Sequence, residues 1–365
     1  MLAYSELAES IDRYDFWPQD WLPVEPELLP DYSVGGTPLI APERLRAYLG
    51  YPNLYLKDDS MNPSGSLKDR ASFLVAGMAR KIGKNHIIVA STGNSASSMA
   101  GLAAATGMKC TVLVPEQTPV VKLVQCMMYG ATVIPIRGDY DKAYELSMQL
   151  SQKYGWVNRN AGYNPFTMEG KKTVAIEMYQ QLDDQAPDNI FIPTGDGAIL
   201  SGIYKGFYDL FQLDLIEAMP RLIAVQPEKS NALIRALTTN SLEPLDHAET
   251  IADSLCVRTA RNGVMAVKDI HKSCGFGVPV TDEAILEAQE ILAKQTGLFV
   301  EPAAACSLAG FLAVKSDIDP DSKTVLLLTG TGLKNPAVVT DRMKLPEAVD
   351  ADIKAIAKRI ELNSD

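Results

Sequence analysis

From residue 54 onward, short β-rich runs alternate with longer helix-compatible stretches, and this alternation restricts the fold more than any other feature of the chain. It is the pattern of βαβ units, in which each helix carries the chain back so that successive strands lie parallel. An α/β fold with parallel sheet is therefore expected. Strands are predicted at 54–57, 87–90, 111–115, 132–136, 156–159, 190–193, 222–226 and 325–328. Helices are predicted at 70–82, 95–105, 119–129, 142–153, 168–181, 200–211, 282–295 and 303–315. No internal repeat or low-complexity linker interrupts the series, and 239–267 carries no readable pattern.

With 365 residues and 47% hydrophobic composition, the chain is long enough for two packed cores. A formal charge of −11 disfavours nucleic acid or an anionic membrane as partner, because both need a basic footprint. A small molecule is the natural ligand. The five cysteines, at 110, 126, 256, 274 and 306, form an odd set without C-x-x-C spacing, and the histidines at 86, 247 and 271 are scattered. Neither a zinc site nor a disulfide framework is indicated, and reduced, buried thiols are expected. No signal-like N-terminus and no run of about 18 apolar residues is present, so a cytoplasmic protein is expected.

Three segments carry candidate chemistry. Lys68 lies in Asn62-Pro63-Ser64-Gly65-Ser66-Leu67-Lys68-Asp69-Arg70, at the start of a predicted helix. Alone it reads as a solvated lysine. The run Ala90-Ser91-Thr92-Gly93-Asn94-Ser95 joins a predicted strand to a predicted helix, so its hydroxyls and N–H groups are placed to meet an anion, or simply to cap the helix. Pro193-Thr194-Gly195-Asp196-Gly197-Ala198-Ile199 is a small-residue turn at a second such junction, where bare backbone N–H groups can hold a phosphate. A lysine for an aldehyde, an asparagine for a ring and a glycine turn for a phosphate together describe pyridoxal phosphate, with Lys68 as its Schiff-base lysine.

At these residues the chain resembles the fold-type II pyridoxal-phosphate enzymes, and among them the threonine synthase family. The likeness runs from Gly35-Gly36-Thr37-Pro38-Leu39 to Thr329-Gly330-Thr331-Gly332-Leu333-Lys334. It implies two doubly wound α/β domains with the cofactor in the cleft between them. The large domain would take 1–54 and 161–365, with a packed N-terminal arm over about 1–30, and a small domain, 55–160, would be inserted into it. Such arms often cross to a second subunit, and a homodimer is expected. The resemblance further implies that Asn94 bonds the ring's phenolic oxygen and that Ser91, Thr92 and Ser95 face the substrate carboxylate. Gly195, Asp196, Gly197, Ala198 and Ile199 would hold the phosphate, and Thr329 would meet the pyridine nitrogen. A hydroxyl there cannot hold that nitrogen protonated as a carboxylate would, which disfavours transamination and leaves elimination or replacement. Glu301 also falls in a motif near the cofactor.

The sequence departs from the family pattern at three places. Asp196 stands where asparagine is common, and a carboxylate beside a phosphate must turn away or meet a cation. Thr167 stands in Asn164-Pro165-Phe166-Thr167-Met168-Glu169-Gly170 at the position of an arginine that would bind a substrate phosphate, and Thr331 replaces a histidine. Lys171, Lys172 and Arg159 are alternative sources of that charge. The resemblance implies conversion of O-phospho-L-homoserine and water to L-threonine and phosphate. The alternatives are a threonine or serine dehydratase, a β-replacement synthase of the cysteate- or cysteine-synthase kind, and a non-catalytic pyridoxal-phosphate-binding protein.

Overall fold

The structure is a computed structural model, and it describes residues 17–340, 343 and 346–361. The chain separates into two compact units, Met1–Lys334 and Asn335–Asp365. The described part of the second holds two helices, Ala337–Thr340 and Ile353–Glu361, with most side chains exposed.

In the first unit the strands are β1 (Leu39–Ile40), β2 (Leu54–Asp58), β3 (His86–Ala90), β4 (Lys109–Pro115), β5 (Thr132–Ile136), β6 (Val157–Asn158), β7 (Asn189–Pro193), β8 (Arg221–Pro227), β9 (Phe276–Val280) and β10 (Thr324–Leu328). The helices are α1 (Glu43–Leu49), α2 (Lys68–Lys81), α3 (Asn94–Thr106), α4 (Val120–Met128), α5 (Tyr140–Tyr154), α6 (Phe166–Lys171), α7 (Thr173–Gln181), α8 (Ala198–Gln212), α9 (Ala232–Thr239), α10 (Gly263–Lys272), α11 (Asp282–Thr296) and α12 (Pro302–Val314).

Two sheets result. One has six strands in the order β1-β2-β10-β7-β8-β9, parallel except for β1, and the other has four parallel strands in the order β5-β4-β3-β6. Each is covered on both faces. Ile190, Ile192, Leu222, Ala224, Val325 and Leu327 point into one core with α7 and α8, while their neighbours Phe191, Ile223, Leu326 and Leu328 point into another with α11 and α12. In the smaller sheet Ile87, Val89 and Val112 pack against α2 and α3, and Ile88 and Leu113 against α5. Strands buried on both faces read as continuous apolar runs, so length rather than alternation distinguishes them from the helices.

Several details differ from the sequence reading. β2, expected at the head of the small domain, pairs with β10 in the larger sheet. β9 lies outside the predicted strands because Gly277 and Pro279 dilute its pattern; it is an edge strand, where a proline removes no interior ladder bond. The single helix expected over 168–181 is two, α6 and α7, and the Thr173 hydroxyl donates to the Gly170 carbonyl where the ladder breaks. Cys110, Cys126 and Cys306 are buried, whereas Cys256 and Cys274 are exposed. The described part of the N-terminal arm packs on its own chain: Trp21 is wholly buried, and Val24 and Leu29 lie over Gly77 of α2. No described helix is long and apolar enough to cross a membrane.

Candidate active site

Helix α2 begins at Lys68 itself, and the loop before it is fixed from two sides. Within the loop, Gly65 N–H donates to the Asn62 carbonyl at 2.7 Å and Ser64 N–H to the Asp69 carboxylate at 2.7 Å. Across to the segment after β10, Leu67 N–H donates to the Thr329 carbonyl and Thr331 N–H to the Gly65 carbonyl, both at 3.0 Å. The lysine and Thr329, 261 positions apart in the sequence numbering, are thus held by one small backbone ladder.

Behind Lys68 lies a buried ionic cluster. Arg70 donates to Asp59 at 2.7 and 2.9 Å and to both Glu177 oxygens at 2.7 Å, and Lys57 donates to Glu177 at 2.7 Å. It ties the first turn of α2 to β2 and α7. Fork-to-fork pairs of this kind fix orientation as well as supplying energy.

Lys68 faces a cavity of about 550 Å³ that Ser91, Thr92, Asn94, Ser95 and Thr329 also line. The far wall is the turn Gly195, Asp196, Gly197 with Ile199 from the start of α8. The sequence therefore brings the lysine, the hydroxyl turn and the glycine turn to one place. Burial pushes the Lys68 ammonium below the ordinary lysine range, with Asp196 and Glu301 opposing the shift. A lowered amine is what imine chemistry and proton transfer need.

The glycine turn has the shape of an anion cradle. Gly197 sits at φ +90°, and a Cβ there would lie 2.5 Å from the Ala266 methyl, so neither the backbone conformation nor the space admits a larger residue. Asp196 stays half-buried on the cavity wall, where its carboxylate accepts from the Ala198 N–H at 3.0 Å, capping its own turn, and acts on the nearby charges of Lys68 and Arg159. That bond occupies the Ala198 amide, and Ala198 does not line the cavity. Gly195, Gly197 and Ile199 remain around the positive end of the 15-residue α8.

Asn94, the first residue of α3, is buried, and its amide donates to Glu301 at 2.9 and 3.1 Å. Burial raises the Glu301 carboxyl, against the Asn94 bond and the field of Lys334 and Lys68. Thr167 lies elsewhere. It is wholly buried in α6, its hydroxyl donates to the Asn164 carbonyl at 2.8 Å, and it does not line the cavity.

The stretch without a readable pattern, 239–267, supplies the remaining wall through Asp253, Ser254 and Arg261. Asp253 pairs with Lys122 of α4, and Arg261 pairs with Asp141 of α5 while its guanidinium stacks 3.9 Å over the Tyr144 ring. Two ion pairs thus join the helices around the smaller sheet to the loop on the larger one. No local periodicity announces such a wall, because its residues are chosen by what they face across the cavity.

The chain matches the family model described as pyridoxal-phosphate-dependent enzyme over residues 31–330. It is 36% identical to the threonine synthase of Methanocaldococcus jannaschii over 93% of this chain and 85% of that one, and 34% identical to the threonine synthase of Mycobacterium bovis over 94% and 92%. Maize serine racemase shares the fold with a TM-score of 0.73 at 19% identity, covering 90% of this chain and 94% of that one. A fungal L-serine ammonia-lyase from Rhizomucor miehei does so with a TM-score of 0.73 at 23% identity, covering 84% and 97%. Lysine, glycine cradle, helix N-terminus and hydroxyl turn form a donor set that fits the cofactor of this family. The chain belongs to the fold-type II pyridoxal-phosphate-dependent enzymes, and its sequence groups it with the threonine synthases among them.

Proposed function

We propose that the enzyme converts O-phospho-L-homoserine and water to L-threonine and phosphate. The observation that carries this reading is the 34–36% identity with threonine synthases over more than nine-tenths of the chain. The site's chemistry agrees with it. When bound, the cofactor supplies an electron sink for negative charge developing at the substrate's Cα and Cβ.

The chain's own groups do the rest. Ser91, Thr92 and Ser95, at the N-terminus of α3, hold the substrate carboxylate and so set which Cα bond faces Lys68. Lys68, its pKa lowered by burial, takes the Cα proton and then a Cβ proton, which lets phosphate leave from Cγ. Water then adds at Cβ, with the departed phosphate positioned to accept its proton, and Lys68 returns the two protons it took, one to Cγ and one to Cα. Asn94 and Thr329 would orient the ring, and the turn at 195–199 would anchor the phosphate of the cofactor.

A panel of O-phosphohomoserine, threonine, serine, O-phosphoserine and O-acetylserine, with phosphate, ammonia and amino-acid products measured separately, tests the reading. Phosphate release with threonine formation is the expected result. Ammonia from threonine or serine transfers the enzyme to the dehydratases, and turnover of serine derivatives only with an added nucleophile transfers it to the β-replacement synthases.

A further inference from the structure

Arg159 follows β6, and its N–H extends the ladder to the Ile88 carbonyl of β3 at 2.9 Å. The side chain is wholly buried and lines the active-site cavity. Nε donates to the Ser72 hydroxyl at 3.1 Å and Nη2 to the backbone carbonyl of Lys68 at 3.2 Å, whereas Nη1, buried as well, has no partner. The arginine ion pairs among the described residues are those of Arg70 with Asp59 and Glu177 and of Arg261 with Asp141. Arg159 is outside them. Lys171, at the end of α6, is 1% exposed and also outside the described ion pairs, but burial pushes its amine well below the ordinary lysine range and it does not line the cavity. Asp69 and Asp196 attract the Arg159 guanidinium from nearby without pairing with it, so its charge is only partly compensated, and an unfilled guanidinium donor on a residue that lines a cavity is a site for an anion.

We infer that Arg159 receives the distal phosphate of the substrate through Nη1, in place of the arginine that the family pattern puts at 167. This rests on the proposed reaction. Two phosphates compete for the assignment, that of the cofactor and that of the substrate, and topology separates them. The cofactor's cradle is the 195–199 turn of the larger sheet, built from backbone. Arg159 belongs to the smaller sheet, at the end of the strand beside β3, and β3 runs directly into the Ser91–Ser95 turn. Adjacent strand ends lie about 5 Å apart, so the carboxylate turn and the guanidinium present two neighbouring anion sites to one short molecule. A planar fork already fixed at Nε and Nη2 loses little freedom when Nη1 is filled.

The test titrates holoenzyme with inorganic phosphate by calorimetry and measures pyridoxal phosphate affinity by fluorescence, for the wild type, Arg159→Lys and Arg159→Met. Expected are phosphate binding by the wild type, at least tenfold weaker binding in Arg159→Met, intermediate loss in Arg159→Lys, and cofactor affinity within twofold throughout. The KM for O-phosphohomoserine should rise in the same order. Cofactor affinity falling in step with phosphate affinity overturns the inference, because the guanidinium then serves the cofactor. So does phosphate binding that Arg159→Met leaves unchanged, or wild-type holoenzyme that takes up no phosphate at millimolar concentration, whatever the variants do. Should Arg159→Met fail to fold by its thermal melt, Arg159→Lys, which keeps the buried charge, carries the comparison. Phosphate binding that depends on Arg159 in an enzyme that does not turn over O-phosphohomoserine would uphold the anion site and refute the proposed reaction.

Discussion

The amide of Asn94 donates to both carboxylate oxygens of Glu301, at 2.9 and 3.1 Å, across 207 residues of sequence. The pair joins the first turn of α3 to the start of α12, and Gly330 makes room for it: a Cβ there would lie 2.6 Å from a Glu301 oxygen. Glu301 therefore sets the rotamer from which Asn94 would meet the ring in the proposed arrangement. Hydrogen bonds to charged groups contribute about 1.5–3 kcal/mol, so Glu301→Ala should lower kcat roughly ten- to a hundredfold. Pyridoxal phosphate should remain bound, with its absorbance maximum displaced. An unchanged kcat and spectrum would show that Asn94 orients itself.

Lys68→Ala should abolish turnover and the absorbance of the lysine-bound cofactor, while the thermal melt stays close to that of the wild-type apoprotein. The lysine is held by backbone bonds from Leu67 and Gly65, not by contacts of its own amine, so truncation leaves its surroundings in place. A variant that retained activity would remove Lys68 from the reaction.

The parts of this site that were legible in the sequence are those confined to one junction. Lys68, the Ser91–Ser95 turn and the 195–199 turn each sit between an apolar run and a helical stretch, so spacing alone placed them on strand-to-helix connections. What was not legible depends on distant partners. The Asn94–Glu301 pair is invisible because nothing local links positions 207 apart. Thr167 was expected at the substrate from its motif, but the phase of α6 turns it inward onto Asn164. Arg159 looks like any strand-end arginine until α2 covers it and leaves one guanidinium nitrogen without a partner. β1 and β9 carry no readable strand signal because one has two residues and the other contains Gly277 and Pro279.

Gly197→Ala should weaken cofactor binding roughly five- to a hundredfold. The residue needs φ +90°, and the new methyl would meet Ala266 at 2.5 Å, so the turn must open. Strain of this type costs about 1–3 kcal/mol. Because Gly197 caps the backbone cradle and not the reacting atoms, kcat at saturating pyridoxal phosphate should change less than the cofactor Kd does. Fluorescence titration and saturation kinetics separate the two. Equal affinity in the variant would place the phosphate elsewhere.

Glu177 anchors the helix that carries Lys68, and its removal should be felt as stability. Burial would raise its carboxyl, but Arg70 and Lys57 outweigh burial and hold it well below the usual carboxylate range. Glu177→Ala removes the one described ion-pair partner of Lys57 and one of the two of Arg70 while both cations stay buried, a change that typically costs about 3–5 kcal/mol. The sign of the pH dependence follows from the lowered pKa. At neutral pH the carboxylate is charged in both states and its stabilisation is complete. As pH falls through the ordinary glutamate value of about 4.3, the unfolded chain takes up a proton that the folded protein refuses, and stability is lost. Denaturant melts of wild type and Glu177→Ala at pH 7 and pH 3.5 should therefore show a gap that narrows on acidification. A gap that stays constant would mean that the cost lies in lost packing rather than in the charge of Glu177.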